Sequence, residues 1–377
     1  MTEHCVLGGK THGAEARGEA TMGLASKFKE FIAQRMPEAL DAGQACGDIC
    51  FLDALCSMHS FRPSAACGGE APLDQLASHL IAAVAPMCLE GSTLVVCFDR
   101  QATTPAQKYG TQAKRRKANR EWSAADAEAM LQRRELPFGD DWADFLAARH
   151  VRALVIAAVA AEVLARFAAG GVKRASRLIV HNGRVQGGAQ VALVGQAWTE
   201  AAEGCPEAGE ADVAMGAWAR HLLAERPDAS VATLTIDTDI VLIMAIHGGS
   251  RSSVCLNHSK PMHRMCVHTA VLAARVQALY GLRLEEFVVV AISKSTDFSP
   301  ACIRGIPAWE DTLRWSGAFL KQHHITMVAD GVLDIAAFMR LMHGIAMNKP
   351  AAKVAELTQK NKQDIAWTAR YWLCLEE

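Results

Sequence analysis

Apolar residues recur at helical spacing along several stretches of the chain. The first such set predicts a helix that ends before Pro37: Phe28, Phe31, Ile32 and Met36. Further helices are predicted over residues 74–86, 124–134 and 142–169, from a turn-rich segment at 204–209 to about Glu225, and from Val332 onward. A loop is predicted at 64–72.

Four short apolar runs have the length and composition of buried strands: residues 49–52, 93–98, 231–236 and 287–292. Because helical stretches separate them, they predict an α/β fold with a mostly parallel central sheet flanked by helices. An aspartate follows each run, as Asp53, Asp99, Asp237 and Asp297. Ligands of open parallel sheets bind beyond the carboxyl ends of the strands. An aspartate there also caps a following helix, so capping alone remains an alternative for any one of the four.

Composition narrows the class of protein. About half of the 377 residues are apolar (51%), and the formal net charge of -1 means that nucleic-acid affinity must come from local patches. Twelve cysteines without a small-scaffold spacing favour a reducing compartment. No secretory signal is visible, and charges interrupt the most apolar stretch, 151–172, which predicts a buried helix instead of a membrane span. We therefore expect an intracellular protein, cytoplasmic or nuclear.

Seven acidic residues are candidates for a metal site. Asp237 and Asp239 continue a predicted strand, and Glu210 and Asp212 stand where a loop enters a helix. If these four and Asp53, Asp99 and Asp297 lie close together, their charges repel one another unless cations neutralise them. Carboxylate oxygens suit Mg²⁺ or Mn²⁺, and two such ions roughly 4 Å apart can catalyse phosphodiester hydrolysis. The alternative is that these acids are helix caps and surface residues that never meet.

A basic segment follows Asp99 directly. Four of its side chains lie on one face of a predicted helix, at offsets 0, +4, +7 and +8: Lys108, Gln112, Arg115 and Arg116. Guanidinium, ammonium and amide groups on one face form a phosphate pocket. A solvated helix face is the alternative, but the position directly after a candidate catalytic strand favours phosphate binding.

Several segments together resemble the 5′→3′ exoribonucleases (the Xrn family), relatives of the flap endonucleases and other PIN-like nucleases. The similar segments are MGL at residues 22–24 with KFKEFIAQRMPE after it, DICFLD at 48–53 with His59 beyond it, FDRQATTPAQK at 98–108, GEADVAM at 209–215, TIDTDIVLIM at 235–244, STDFSP at 295–300 and DIAWTARYW at 364–372. The order of these segments carries the resemblance, which spans about Met22 to Trp372.

The resemblance implies a PIN/flap-nuclease-like fold and processive, Mg²⁺-dependent degradation of single-stranded RNA that bears a 5′-monophosphate. Mn²⁺ is an alternative ion, and two ions are expected. The seven acids would hold the metal, and Lys108, Gln112, Arg115 and Arg116 would bind the terminal phosphate. Lys108 and Arg115 would also act in catalysis. His59 would contact a base by stacking, with a core histidine as the alternative. The implied organisation is a disordered tail at 1–21, a nuclease domain at 22–310 and a helical extension at 311–377 packed on it.

Two other functions stay open. A flap-endonuclease-like DNA nuclease would share the acids, and IRGIP at residues 303–307 is faintly similar to the hairpin segment of those enzymes. A catalytically weakened nucleic-acid-binding relative is the other, because Asp212 replaces the second glutamate of the family motif.

A group of cysteines and histidines crowds a loop-like stretch: Cys255, His258, His263, Cys266 and His268. Such residues can bind Zn²⁺, but this spacing matches no standard zinc finger. We favour free thiols and imidazoles in an insertion.

Overall fold

The computed structural model describes residues 28–41, 45–64, 69–99, 121–184, 188–201, 210–256, 265–294, 302–304, 308–347, 353–354 and 358–375. The predicted tail at 1–21 lies outside them. Nine of the described strands form one sheet: β1 (Leu40–Asp41), β2 (Gly47–Asp53), β3 (Cys88–Cys97), β4 (Ala175–His181), β5 (Ala189–Leu193), β6 (Thr199–Glu200), β7 (Val231–Thr235), β8 (Ser252–Leu256) and β9 (Met265–His268). Their spatial order is β1-β9-β8-β7-β2-β3-β4-β5-β6.

The middle of the sheet is parallel and its two sides are antiparallel. Strands β8, β7, β2, β3 and β4 run in one direction. On one side, β9 pairs antiparallel with β8 and with β1. On the other side, β5 pairs antiparallel with β4 and with β6. Two small antiparallel pairs lie apart from the sheet, β10 (Ile303–Arg304) with β13 (Lys353–Val354) and β11 (Val328–Ala329) with β12 (Val332–Leu333). The predicted α/β class with a mostly parallel central sheet is confirmed.

Helices cover both faces of the sheet. In chain order the described helices are α1 (Phe28–Arg35), α2 (Ala54–Ser60), α3 (Pro72–Val84), α4 (Ala124–Gln132), α5 (Asp140–Ala147), α6 (Arg149–Ala168), α7 (Ala211–Glu225), α8 (Asp239–His247), α9 (Thr269–Tyr280), α10 (Leu284–Ile292), α11 (Trp309–Gln322), α12 (Ile335–Met347) and α13 (Gln359–Cys374). Short 3₁₀ turns occupy Pro37–Ala39 and Ala85–Met87. None of these described helices combines the length and the apolar character that crossing a membrane requires.

Each face of the sheet has its own core. In β2, Ile49 and Phe51 point to one face, and Cys50 and Leu52 point to the other, as the strand period requires. Side chains of α1 and α7–α13 fill the first core, and those of α2–α6 fill the second. The strands of the sheet centre are buried on both sides, which explains why the sequence shows them as continuous apolar runs.

The predicted strand at 287–292 is wrong, because these residues belong to helix α10. Every residue from Glu286 to Ile292 is buried, so the segment shows no polar face from which a helical period could be read. The three consecutive valines favoured a strand, but local bonds favour a helix. The backbone N–H of Arg283 donates to Glu286 Oε2 (3.1 Å), which closes the first turn.

Three other predictions need correction or completion. The single helix predicted at 142–169 is two helices, α5 and α6, because Ala148 adopts an extended ψ of 110° between them. Strands β4, β5, β8 and β9 were not predicted. The segment after Val332 begins with strand β12 before it becomes helical.

The carboxy-terminal helices are part of the main body. Helix α11 spans residues 310 and 311, where the domain boundary was predicted. Leu313, Phe338 and Trp372 of the last three helices lie in the same core as the sheet residues Ile49 and Val231.

Candidate functional site

Three neighbouring strands end at one edge of the sheet and bring three predicted acids there. Strand β2 lies between β3 and β7, with Asp53 opposite Cys97 and Leu52 opposite Leu234. Asp53 is the last residue of β2, while Asp99 and Asp237 each come two residues after the end of β3 and β7. The three aspartates therefore stand at the carboxyl edge of adjacent parallel strands, as the sequence predicted.

Asp53 is buried at this edge and serves as a helix cap as well. One carboxylate oxygen accepts the backbone N–H of Cys56 (3.2 Å) at the start of α2, so the capping alternative holds for Asp53. The other oxygen accepts the hydroxyl of Thr235 (3.0 Å). Burial raises the pKa of Asp53 to about 6; the nearby charge of Asp99 adds to the rise, while the bonds from Cys56 and Thr235 oppose it. Because burial disfavours the charged form of this carboxylate, a bound cation would stabilise it.

The hydroxyl of Thr235 links two of the acids. It donates to Asp53 and accepts the backbone N–H of Asp237 (2.9 Å). The carboxylate of Asp237 in turn accepts the N–H of Asp239 (3.0 Å). The prediction that Asp237 and Asp239 continue a strand is wrong: β7 ends at Thr235 and Asp239 begins α8. The side-chain bond of Asp237 to the backbone two residues on forms the turn that starts this helix.

Glu210 and Asp212 stand at the start of α7, as predicted, and Asp99 reaches the same helix end. Glu210 occupies the position directly before the helix, where its side chain makes no capping bond, and Asp212 is the second residue of the helix; both are buried. The carboxylate of Asp99 accepts the backbone N–H of Ala211 (3.0 Å), which lies between them in the chain. A helix amino terminus carries partial positive charge and favours carboxylates nearby. This bond therefore brings Asp99 to the Glu210 and Asp212 pair.

Two buried thiols show that the charges of the acids act on one small region. Burial raises the pKa of Cys56, and the charges of Asp53 and Asp237 raise it further. Burial likewise raises the pKa of Cys97, with added effects of Asp53 and Asp99. Each thiol is thus close to charges from two different strands.

The acids fit a hard cation by residue type. Carboxylate oxygens are the ligands that Mg²⁺ and Mn²⁺ prefer. Within the described ranges, no three Asp, Glu, His or Cys side chains converge at the spacing of ligands around one ion. Six of the seven predicted acids lie at the carboxyl edge or at the helix starts beside it, namely Asp53, Asp99, Glu210, Asp212, Asp237 and Asp239. The seventh, Asp297, lies outside the described residues, as do Lys108, Gln112, Arg115 and Arg116.

His59 lies in the last turn of α2, one helix beyond Asp53. The residue is exposed, so the alternative of a core histidine is wrong. Protein atoms around the ring nevertheless desolvate it and lower the pKa of His59 to about 4; the charge of Arg152 acts in the same direction, and that of Asp99 opposes it. An exposed imidazole that is neutral near pH 7 can stack on a base.

Residues at the end of β4 also shape this edge and were missed, because β4 itself was not predicted. Buried His181 lies opposite Cys97, and its Nδ1 accepts the indole N–H of Trp218 (3.1 Å). The amide of Asn182 donates to the carbonyl of Phe98 (3.1 Å), next to Asp99. Asn182 has a φ of 57°, a conformation that asparagine tolerates better than most residues. The pair His181-Asn182 after an apolar run was the available signal.

The cysteine and histidine group is not confined to an insertion. Cys255 lies on β8, and Cys266 and His268 lie on β9. His268 Nδ1 is 2.6 Å from the hydroxyl of Ser253. His258 and His263 lie outside the described residues.

No protein-family model matches the chain, and no curated protein matches it either.

Proposed function

We propose that this chain is a metal-dependent 5′→3′ exoribonuclease that hydrolyses phosphodiester bonds of RNA bearing a 5′-monophosphate. The observation that carries the proposal is the edge where β2, β3 and β7 end. Asp53, Asp99 and Asp237 stand at the ends of these adjacent strands. Thr235 links Asp53 to Asp237, and the backbone N–H of Ala211 links Asp99 to the start of α7.

The acids would hold Mg²⁺ or Mn²⁺, and a bound ion or pair of ions would activate water and stabilise the leaving oxygen. The raised pKa of Asp53 supports this role, because the buried carboxylate and its neighbour Asp99 gain most from a cation between them. Thr235 would keep Asp53 and Asp237 in a fixed relation while ligands exchange.

The protein's own groups would bind and orient the substrate. Lys108, Gln112, Arg115 and Arg116 follow Asp99 in the chain and would hold the 5′-phosphate, which places the scissile bond one nucleotide away at the acids. Lys108 and Arg115 would also stabilise charge that develops on the reacting phosphate. His59, exposed and neutral, would stack on a base.

The test is digestion of three substrates with Mg²⁺ or Mn²⁺ and with a chelator: RNA with a 5′-monophosphate, the same RNA with a 5′-hydroxyl, and a DNA flap. We expect stepwise shortening of the monophosphate RNA alone, and loss of activity with the chelator. A preference for the flap would favour the DNA nuclease. Binding of RNA without hydrolysis under any condition would favour the catalytically weakened relative.

Asp237→Asn is the sharpest variant. Asparagine keeps the oxygen that accepts the N–H of Asp239, so the turn into α8 is retained, but one negative charge is lost from the edge. We expect hydrolysis to fall about 100-fold or more, with RNA binding and the unfolding temperature nearly unchanged.

Asp228→Asn is the matched control, because Asp228 is an exposed residue three positions before the same strand. It should leave hydrolysis unchanged. Full activity of Asp237→Asn would exclude the carboxylate mechanism.

A further inference from the structure

Two cysteines face each other across the antiparallel strands β8 and β9. Cys255 and Cys266 are direct partners in the register, and their sulfur atoms are 3.2 Å apart. Cys255 is half-buried and Cys266 is buried. The two thiols therefore lie in contact, and one of them is reachable from solvent.

The backbone geometry at this pair permits a covalent bond. Residues directly opposite in an antiparallel ladder have Cα atoms about 4.5 or 5.5 Å apart, and both values lie in the range of disulfides, about 4.4–6.8 Å. The Cβ atoms of directly opposite residues generally lie about 4.5–5.5 Å apart, and the lower value is within the disulfide range of about 3.5–4.5 Å. Since the two sulfur atoms are already 3.2 Å apart, a bond would form after a small rotation of the side chains.

We propose that Cys255 and Cys266 are a reversible redox site that a peroxide converts to a disulfide. The sulfur of Cys255, the more accessible thiol, attacks one peroxide oxygen and breaks the O–O bond, which gives a sulfenic acid and one water. The sulfur of Cys266 then attacks that of Cys255 and displaces a second water. For hydrogen peroxide, two thiols and one H₂O₂ give one disulfide and two H₂O; the cysteines are oxidised and the peroxide is reduced.

A zinc site is the competing use of these two sulfurs. Two thiolates on one tetrahedral zinc ion, each about 2.3 Å from it, lie about 3.8 Å apart. The observed 3.2 Å is shorter than that separation. His268 of β9 bonds to the hydroxyl of Ser253 through Nδ1, so only its Nε2 could bind a zinc ion. The geometry therefore favours the disulfide.

The position of the pair gives the bond a structural consequence. Cys255 is also the partner of Leu234 in β7, three residues before Asp237. Strand β8 is parallel to β7 and ends at Leu256, at the same edge of the sheet as the acids, so the disulfide would link β8 to β9 near that edge. The inference does not depend on the proposed nuclease function, since the chemistry needs only the two thiols.

A second thiol pair in the molecule serves as an internal comparison. Cys50 and Cys88 are both fully buried, and the thiol of Cys50 donates to the carbonyls of Gly47 and Met87. Because a peroxide cannot reach these sulfurs in the folded chain, they should remain thiols while Cys255 reacts.

The experiment treats the full-length protein with hydrogen peroxide, blocks remaining thiols and maps the peptides by mass spectrometry. We expect a cross-linked peptide that contains Cys255 and Cys266, a mass loss of about 2 Da before blocking, and its reversal by dithiothreitol. Cys266→Ser should stop the reaction at a Cys255 sulfenic acid that dimedone traps. Cys374→Ser, the control at another half-buried cysteine, should leave the cross-link intact.

Two results would overturn the inference, and neither requires a variant to fold. One is oxidation of other thiols in the wild-type protein without any Cys255–Cys266 cross-link. The other is one equivalent of tightly bound zinc in the purified protein that protects both cysteines from peroxide.

Discussion

Two groups of carboxylates in this molecule meet opposite electrostatic environments. Between α3 and α6, Asp74 and Glu162 contact the guanidinium groups of Arg134 and Arg166. The bonds from Arg134 lower the pKa of Asp74. Burial raises the pKa of Glu162, but Arg166 and Arg134 lower it to below its ordinary value. At the sheet edge, burial and the charge of Asp99 raise the pKa of Asp53 to about 6.

The direction of the pKa shift tells whether a carboxylate stabilises the folded state. A carboxylate whose pKa is lowered by folding contributes stability above its ordinary pKa, and this stability is lost as the pH falls through the lowered value. A carboxylate whose pKa is raised destabilises the folded state at neutral pH. Asp74 and Glu162 belong to the first kind and Asp53 to the second. Retention of a destabilising group is expected where function requires it.

Asp53→Asn should show the largest effect and should separate activity from stability. We expect a loss of hydrolysis of about 100-fold or more, because a charge is removed from the acids. The same variant should be more stable to urea at pH 7, by about 2 kcal/mol, because the buried charge is removed while asparagine can still accept one of the two hydrogen bonds.

Asp48→Asn changes another aspartate of β2 and is the matched control, because its expected effect on stability is opposite to that of Asp53→Asn. Bonds from the hydroxyl and the backbone N–H of Ser230 lower the pKa of Asp48, so this variant should lose stability and keep activity. If both variants lose stability equally, the contrast between the two environments is wrong.

Much of this edge could be predicted from the sequence, for a physical reason. Strands β2, β3 and β7 are short apolar runs that end at an aspartate or two residues before one, and the ends of parallel strands must share an edge. The same reasoning failed at 287–292, where an apolar run buried on all sides is a helix. The spacing of apolar residues and the composition cannot distinguish a buried strand from a buried helix, because neither has a polar face when it is buried on every side.

The contacts between the acids could not be predicted. Thr235 bridges Asp53 and Asp237 through one hydroxyl, and a threonine at the end of a strand carries no signal of that role. The bond from Ala211 to Asp99 joins residues 112 positions apart through a backbone N–H, which every residue but proline provides. Such bonds depend on register and helix placement, and these are fixed only by the packed fold.

Lys294→Met tests whether a buried lysine, like the buried Asp53, lowers the stability of the folded state. Lys294 is 7% exposed, its ammonium lies 3.3 Å from the hydroxyl of Thr312 and over the ring of Trp309, and burial lowers its pKa to about 8 from an ordinary 10.5. Between these values the unfolded chain binds more protons than the folded one, so stability should rise with pH across that window. At pH 7 the variant should be more stable by about 2 kcal/mol.

The gain from Lys294→Met should shrink at pH 10, where the folded lysine is already neutral. Urea unfolding at pH 7 and pH 10 measures both values, and Lys321→Met, at an exposed lysine in the last turn of α11, is the control. An equal gain at both pH values would mean that packing, and not charge burial, is the cause.

Glu162→Gln should have the smallest effect and tests the stabilising side of the comparison. Glu162 accepts from Arg166 Nε (2.7 Å) and Arg134 Nη2 (2.6 Å), so loss of its charge weakens two ion pairs in one network. We expect a loss of about 1 kcal/mol at pH 7, a smaller loss as the pH falls through the lowered pKa of Glu162, and unchanged hydrolysis. Glu135→Gln, which changes an exposed ion pair with Arg133, is the control and should change neither stability nor hydrolysis. If the acids at the sheet edge serve catalysis, the ion-pair network should contribute to stability and not to hydrolysis. The acids at the edge should contribute to hydrolysis and lower stability.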